Sequence, residues 1–513
     1  MKWWKKTVFY EIYLPSFFDS NADGIGDLAG VLKKIDYLKS LGVGGIWLTP
    51  FYQSPKVDNG YDVSDYYQID SDYGNFDNWR NLVSYAHQRG IKIIVDMVLN
   101  HTSTQHPWFQ ASRKSRHNPK REWYIWRNEP NNWESFFGGS AWEFDEQTEE
   151  YYYHSFSKEQ ADLNWTNPEV RSEMFRVLDF WIDLGIDGVR LDVINNLSVA
   201  IEMPDNPVAD SGEQIHKYDV NQKGILSAIR SIKKHLYSKD SELFVVGEVS
   251  SDELSVIRKY VGESLLDTTF NFNLGSMEQF SAKKIVDELA AMKELYQDGT
   301  LPTLFFNSHD MARSWNRLAS GQLDRYLQLA VLVLLNCGIP FLFQGEESGI
   351  GDFIPEDVQS IRDIQAMTKY LSEIEKGSSV DSALAQANSV NRDKSRGFMP
   401  WEEAAESAPK WIGYGKVNAD CCEIVDWYKR LLAIRATYIS HQKPLENLTW
   451  QDGLISYEIG QLVIYLNFNN QRDCEVMIPP NSKLLLGRGK LEDSGTCCLL
   501  SRNGIWIGQK GRN

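Results

Sequence analysis

Three acidic residues, each closing a short apolar run, are the starting point: Asp192 after Gly188-Val189-Arg190-Leu191, Glu248 after Phe244-Val245-Val246-Gly247, and Asp310 after Leu304-Phe305-Phe306-Asn307-Ser308-His309. A basic residue, Arg190, stands two positions before Asp192 and so on the same face of an extended chain. Histidines close two runs, His101 and His309. Carboxylates without a metal-ligand spacing suit acetal cleavage, in which one carboxylate attacks or stabilises the carbon and a second, protonated one donates to the leaving oxygen. Arg190 would keep Asp192 ionised, and burial behind an apolar run would raise Glu248 toward the range an acid needs. No Ser stands in a nucleophile elbow.

These residues need elements that bring their ends together. Eight strand-like runs alternate with helical stretches: Val8 to Tyr13, Gly44 to Leu48, Ile91 to Val98, Gly188 to Asp192, Phe244 to Glu248, Thr268 to Phe272, Leu304 to Asp310 and Ile339 to Glu347. Helices are expected at Leu28 to Leu41, Trp79 to Arg89, Phe175 to Leu184 and Ile424 to Thr437. The alternation predicts an α/β fold, a closed (β/α)8 barrel whose strand ends share one face. An open doubly wound sheet competes, but no Gly-rich phosphate fingerprint follows an early strand. The rhythm breaks after the third strand, in a stretch rich in Trp, Asn, Pro and Gly, and returns near Pro168. A long irregular stretch of this kind predicts an inserted subdomain on the active face. Two-residue alternation at Leu454 to Glu458 and Leu462 to Leu466 predicts a C-terminal antiparallel β-sandwich. The domains are placed at 1–101 with 169–440 (barrel), 102–168 (insert) and 441–513 (C-terminal).

Composition narrows the partners. With 42% hydrophobic residues the chain can fill large cores, and 12% aromatics give flat apolar faces of the kind sugars pack on. A net charge of -17 speaks against nucleic acid and gives no general attraction to anionic membranes. No apolar run is long enough to span a bilayer, and Met1-Lys2-Trp3-Trp4-Lys5-Lys6 lacks the apolar segment of a signal peptide. The six cysteines, two vicinal pairs among them, make a poor disulfide framework. A cytoplasmic, monomeric enzyme on a small substrate, with no organic cofactor, is the expectation.

One loop reads as a cation site. Asp19, Asn21, Asp23 and Asp27, with the Ile25 carbonyl, place oxygens at alternate positions around Gly24 and Gly26, a spacing that suits structural Ca²⁺ or Mg²⁺. The competing reading is a polar loop in which Asp27 caps the following helix.

The motifs Asp96-Met97-Val98-Leu99-Asn100-His101, Gly188-Val189-Arg190-Leu191-Asp192, Gly247-Glu248-Val249 and Asn307-Ser308-His309-Asp310 resemble the alpha-amylase family of retaining glycoside hydrolases. The resemblance implies Asp192 as nucleophile, Glu248 as general acid/base and Asp310 as a transition-state stabiliser that grips sugar hydroxyls. It also implies Tyr61, Asp62, His101, Arg190 and His309 around the first sugar, and the Asp19 to Asp27 loop matches the metal loop of some members. Arg392-Asp393-Lys394-Ser395-Arg396 resembles a segment whose Arg pairs with the Asp matching Asp62; Arg396 is the candidate, and the pair would close the pocket beyond one glucose.

Within the family, Gln160-Ala161-Asp162-Leu163-Asn164-Trp165, together with Val193 after the nucleophile, resembles the oligo-1,6-glucosidase and trehalose-6-phosphate hydrolase group. The expectation is an exo-acting alpha-glucosidase on short, alpha-1,6-linked glucosides. Val57 to Asp62, Thr102 to His106 and Gly247 to Ser251 look more like the phosphotrehalose hydrolases. His216-Lys217-Tyr218-Asp219-Val220 departs from both, in an acidic segment. A transglycosylase or sugar isomerase using the same residues is a further alternative. A catalytically dead partner subunit is the remote one, opposed by the intact carboxylates.

Overall fold

The computed structural model describes residues 1–401, 410–439, 443–493 and 497–511. Eight parallel strands form the barrel: β1 (Phe9–Ile12), β2 (Gly45–Leu48), β3 (Lys92–Met97), β4 (Gly188–Leu191), β5 (Phe244–Gly247), β6 (Thr268–Thr269), β7 (Thr303–Leu304) and β8 (Ile339–Phe343). Their order is β6-β5-β4-β3-β2-β1-β8-β7. The seam between β6 and β7 is closed by side chains in place of a backbone ladder. Thr303 Oγ1 donates to the Thr269 carbonyl at 3.1 Å and accepts the Asn271 N–H at 2.8 Å, while Asn271 Oδ1 accepts the Thr303 N–H at 2.9 Å.

Expectation and structure differ on strand length. The sequence predicts the sixth, seventh and eighth strands to run to Phe272, Asp310 and Glu347, but they stop at Thr269, Leu304 and Phe343. Beyond those points main-chain groups turn to side chains instead of neighbouring strands; the His309 N–H, for example, donates to Glu11 Oε1 at 3.1 Å. Helices run longer than read where caps extend them. Asn75 caps Phe76–Gln88 with a reciprocal capping box, and Asn167 caps Pro168–Asp183 with Pro at its first turn.

The barrel interior is apolar below and charged above. Phe9, Ile94, Phe244, Val246, Phe270, Phe305 and Phe341 fill its lower part, with Phe9 stacked between Phe244 and Phe341 at 5.2 and 4.8 Å. Side chains two residues on point the same way. So Glu11 follows Phe9, Asp96 follows Ile94, Arg190 follows Gly188 and Glu248 follows Val246 into the upper layer. Gly188 lets β4 and β5 approach: a Cβ there would lie 2.3 Å from the Phe244 carbonyl oxygen.

The insert is less irregular than its composition implies. His101–Ser103 pairs with Gln160–Asp162, and Trp142–Asp145 and Trp126–Arg127 flank Glu150–Tyr153 in a three-stranded sheet. A helical hairpin, Ile364–Glu375 and Val380–Val390, follows β8 and was not anticipated. The C-terminal strands form a five-stranded and a three-stranded antiparallel sheet. Val463 and Trp506 of one pack against Val476, Cys498 and Leu500 of the other. The expected boundary at 440–441 lies outside the described residues.

Candidate active site

Arg190 organises the centre. It is fully buried, and its Nη1 donates to Asp96 Oδ1 and Oδ2 at 2.8 and 3.0 Å. The same nitrogen donates to Asp192 Oδ1 at 2.5 Å, and Nη2 donates to Glu248 Oε2. One guanidinium thus spans the ends of three adjacent strands. Asp96 is fixed in turn by the Tyr61 hydroxyl at 3.0 Å and the Trp47 indole N–H at 3.3 Å.

Asp192 and Glu248 thus flank one guanidinium, and the charge of each carboxyl bears on the other. Burial pushes Glu248 up to about 8; Arg190 opposes this, and Asp192 and Asp310 add to it. Burial likewise raises Asp192, to about 7, against the pull of Arg190. Arg190 therefore limits the rise of Asp192 without holding it in the ordinary carboxylate range, as the sequence had led us to expect. The proton the pair retains longest sits on Glu248. Val193, directly after Asp192, is held at φ 35°, ψ 48°. A β-branched residue in the left-handed region is strained, and the Ile194 N–H bond to the Glu248 carbonyl, 2.9 Å, holds this sharp exit from β4.

Asp310 carries the opposite electrostatics. Burial works to raise it, but the guanidinium groups of Arg392, Arg396 and Arg190 outweigh burial and hold it well below the usual carboxylate range. Arg396 Nη2 donates to Asp310 Oδ1 at 2.8 Å, and Arg396 Nε donates to the His309 carbonyl at 2.9 Å. His309 Nε2 lies 3.1 Å from Asp310 Oδ2 and 2.7 Å from the Tyr61 hydroxyl, while its Nδ1 lies 2.5 Å from Glu11 Oε1. Burial drives His309 down to about 3 and His101 down to about 4, so both rings are neutral at physiological pH. His101 Nε2 lies 3.1 Å from Gln160 Nε2, within a cavity of about 120 Å³ that Tyr61, Asp192, Glu248 and Asp310 also line.

Asp62 departs from its expected place. Its side chain is fully buried and accepts the Val57 and Asp58 N–H groups at 2.9 and 3.1 Å and the Ser54 hydroxyl at 3.0 Å. It ties the loop below the pocket. The carboxylate that faces the cavity is Asp58, and its partner is Arg392, not Arg396, at 2.7 Å. Two Asp four residues apart on a tight turn point oppositely, and spacing alone does not say which faces in. Arg392 is also held by Asp363 at 2.6 Å and lies over the Phe137 ring, 4.8 Å from its centroid. Phe137 and Phe156 bring the insert to the cavity rim. Sequence alone does not point to Glu11, Asp58, Phe137, Phe156 or Arg392 as parts of the site. Glu11 carried one signal, a lone carboxylate inside an apolar strand.

In the Asp19 to Asp27 loop, Asp27 Oδ1 caps the following helix through the Gly30 N–H at 2.7 Å and Oδ2 accepts the Ser20 N–H at 2.9 Å. Asp19 accepts the Ala22 and Gly24 N–H groups at 2.6 and 2.9 Å and pairs with Lys410 Nζ at 2.8 Å. Among the described residues, no three His, Cys, Asp or Glu side chains come together as a metal-holding group. Asn21 Nδ2 donates to Asp23 Oδ2, and Asp23 Oδ1 accepts the Ile25 N–H. The loop's oxygens, as arranged, do not fit a divalent cation, which takes six or more of them (~6–8) for Ca²⁺.

A parallel barrel whose C-terminal rim holds two carboxylates sharing a proton, with a third kept ionised beside them, is equipped for acetal cleavage. Comparison with known proteins agrees. The family model "Alpha amylase, catalytic domain" matches residues 11–441. Oligo-1,6-glucosidase of Parageobacillus thermoglucosidasius is 36% identical over 513 aligned positions, 91% of either chain. The crystal structure of Bacillus licheniformis trehalose-6-phosphate hydrolase superposes with a TM-score of 0.87 at 30% identity, covering 99% of both chains. Isomaltulose synthase of Klebsiella sp. LX3 gives a TM-score of 0.89 at 28% identity over 99% of both. The chain belongs to the alpha-amylase family and is a glycoside hydrolase of that family.

Proposed function

We propose that this protein is a retaining, exo-acting alpha-glucosidase that releases glucose from the non-reducing end of short alpha-glucosides, alpha-1,6-linked ones included. The observation that carries the reading is the small cavity: about 120 Å³, with the Asp58–Arg392 ion pair on its wall and the carboxylates converging within it. So small a space suits a single sugar at a chain end better than the middle of a chain.

Asp192 and Glu248 bonded to one Arg190 guanidinium support retention, because inversion needs room for a water between carboxyls roughly 6.5–9.5 Å apart. Asp192 Oδ attacks the anomeric carbon as the glycosidic C–O bond breaks, and Glu248 passes its proton to the departing oxygen. The Glu248 carboxylate then takes a proton from water, whose oxygen bonds to the same carbon and frees Asp192. Asp310, kept anionic, accepts hydrogen bonds from sugar hydroxyls.

A phosphorylated disaccharide is the competing substrate. Of the side chains lining the cavity, the single Arg or Lys is Arg392, which Asp58 and Asp363 already hold. The loop leading to His216 adds Glu202, Asp205, Asp210 and Glu213. This charge favours a neutral leaving group. A panel of isomaltose, maltose, sucrose, trehalose and trehalose 6-phosphate, read by released glucose with Asp192→Asn as control, tests the proposal. Turnover confined to the phosphorylated sugar would overturn the substrate; conversion of sucrose to an isomer without net hydrolysis would overturn the assignment as a hydrolase.

A further inference from the structure

We propose that Lys410 is a built-in cation that replaces the divalent metal the Asp19 to Asp27 loop would otherwise take, and that it thereby braces the back of the active site. Three observations carry this. First, the ammonium group is inside the loop, 2.8 Å from Asp19 Oδ2, with the lysine side chain 6% exposed and the Asp19 side chain fully buried. A buried carboxylate needs a compensating positive charge, and this lysine supplies it without dehydrating an ion.

Second, the lysine is delivered by fixed backbone. The Trp411 N–H donates to the Gly24 carbonyl at 2.9 Å, and the Trp411 carbonyl accepts from Arg362 Nε at 2.8 Å. The Phe398 ring centroid lies 5.1 Å from the ammonium. The charge therefore arrives with the fold, held from both sides, where a free ion would have to be captured from solution.

Third, the loop is tied to the catalytic wall. The Gly26 N–H donates to the Pro15 carbonyl at 2.8 Å. The Trp411 ring lies 6.3 Å from that of Tyr13, which stacks on the His309 imidazole at 5.8 Å and 16°. Tyr13 also lies beneath Arg396, 5.1 Å from its guanidinium. Disturbing the cation would loosen the packing behind His309 and Arg396, the two groups that position Asp310.

The test uses the purified full-length protein. Metal content after dialysis is measured by elemental mass spectrometry, and thermal unfolding is followed with millimolar Ca²⁺, Mg²⁺ or chelator. The wild type is expected to carry no stoichiometric divalent metal, and its Tm to move by less than about 1 °C under any of these additions. Lys410→Ala and Lys410→Met are expected to lower Tm by several degrees and to raise KM more than they lower kcat. Millimolar Ca²⁺ is expected to return part of the lost Tm to Lys410→Ala but none to the double variant with Asp19→Asn. Stoichiometric metal in the wild type, or a Tm that Ca²⁺ or Mg²⁺ raises by several degrees, would overturn the proposal. So would Lys410 variants as stable as the parent. If the variants do not fold, the wild-type metal content and titration decide the matter alone.

Discussion

A single Arg190 nitrogen lies 2.5 Å from Asp192 Oδ1 and 2.8 Å from Asp96 Oδ1, so the group beside the reacting carboxylate is anchored by a second carboxylate on the next strand. The register makes this possible: Arg190 is the direct strand partner of Asp96. Charge and position are supplied together, in a layer where water is largely excluded.

Removing the nucleophile should abolish turnover. Asp192→Asn is expected to lower kcat/KM on an aryl alpha-glucoside by ~10⁴-fold or more, as for other covalent catalysts. Glu248→Gln should spare substrates whose leaving group needs no proton, such as glucosyl fluoride, far more than isomaltose. Steady-state rates on the two substrates check both statements.

The pH profile follows from the shared proton. Asp192 must be ionised and Glu248 protonated, and burial places them near 7 and 8. kcat/KM should be a narrow bell with an acid limb near 7 and an alkaline limb near 8, the two values belonging to the pair. With glucosyl fluoride the alkaline limb should vanish.

The same carboxyls make a stability prediction. Their folded pKa values are raised above the unfolded ones, so their contribution is fully present below the unfolded carboxylate range. It is lost as pH rises through about 7 and 8. Glu248→Gln, which cannot ionise, should gain on the wild type as pH rises, by on the order of 1–3 kcal/mol at pH ~9. Tm measured across the pH range checks the sign: a Glu248→Gln Tm that falls relative to the wild type as pH rises contradicts it.

Asp58 and Asp62 should separate binding from stability. Asp58→Asn weakens the pair with Arg392 on the cavity wall and is expected to raise KM about 10-fold, by the loss of ~1.4 kcal/mol of charged hydrogen bonding. Asp62→Asn should leave KM unchanged and lower stability by about 1–2 kcal/mol, because its carboxylate serves two backbone N–H groups. Kinetics and thermal melts on the two variants tell them apart.

Glu11 acts through His309. Its Oε1 faces Nδ1 at 2.5 Å and accepts the His309 N–H at 3.1 Å, so it orients the ring toward Asp310. Glu11→Gln keeps the shape but replaces the carboxyl facing Nδ1 with an amide, and is expected to lower kcat about 10- to 100-fold with a smaller change in KM. Restoration by Glu11→Asp is not expected, since the shorter side chain cannot reach the ring.

Much was legible in the linear chain because the chemistry sits where strands end. Strand-forming runs are local, a pleat repeats every two residues, and all barrel strands finish on one face. Pattern alone therefore places Asp192, Glu248 and Asp310 together, with Arg190 beneath. Sequence alone also marked the insert, the C-terminal sheets and the helix over Leu28–Leu41, since each rests on nearby pattern.

Tertiary structure decided whatever depends on loops and on distant partners. Which of Asp58 and Asp62 faces the cavity follows from a turn whose carboxylate satisfies its own backbone. Arg392, not Arg396, reaches that wall because the hairpin after β8 delivers it there. The charge inside the Asp19 loop comes from Lys410, 391 residues along the chain, and composition cannot distinguish a loop awaiting an ion from one already holding a lysine. Local propensity speaks for residues a few positions apart; pairing across hundreds of residues is set by which surfaces the closed barrel brings into contact.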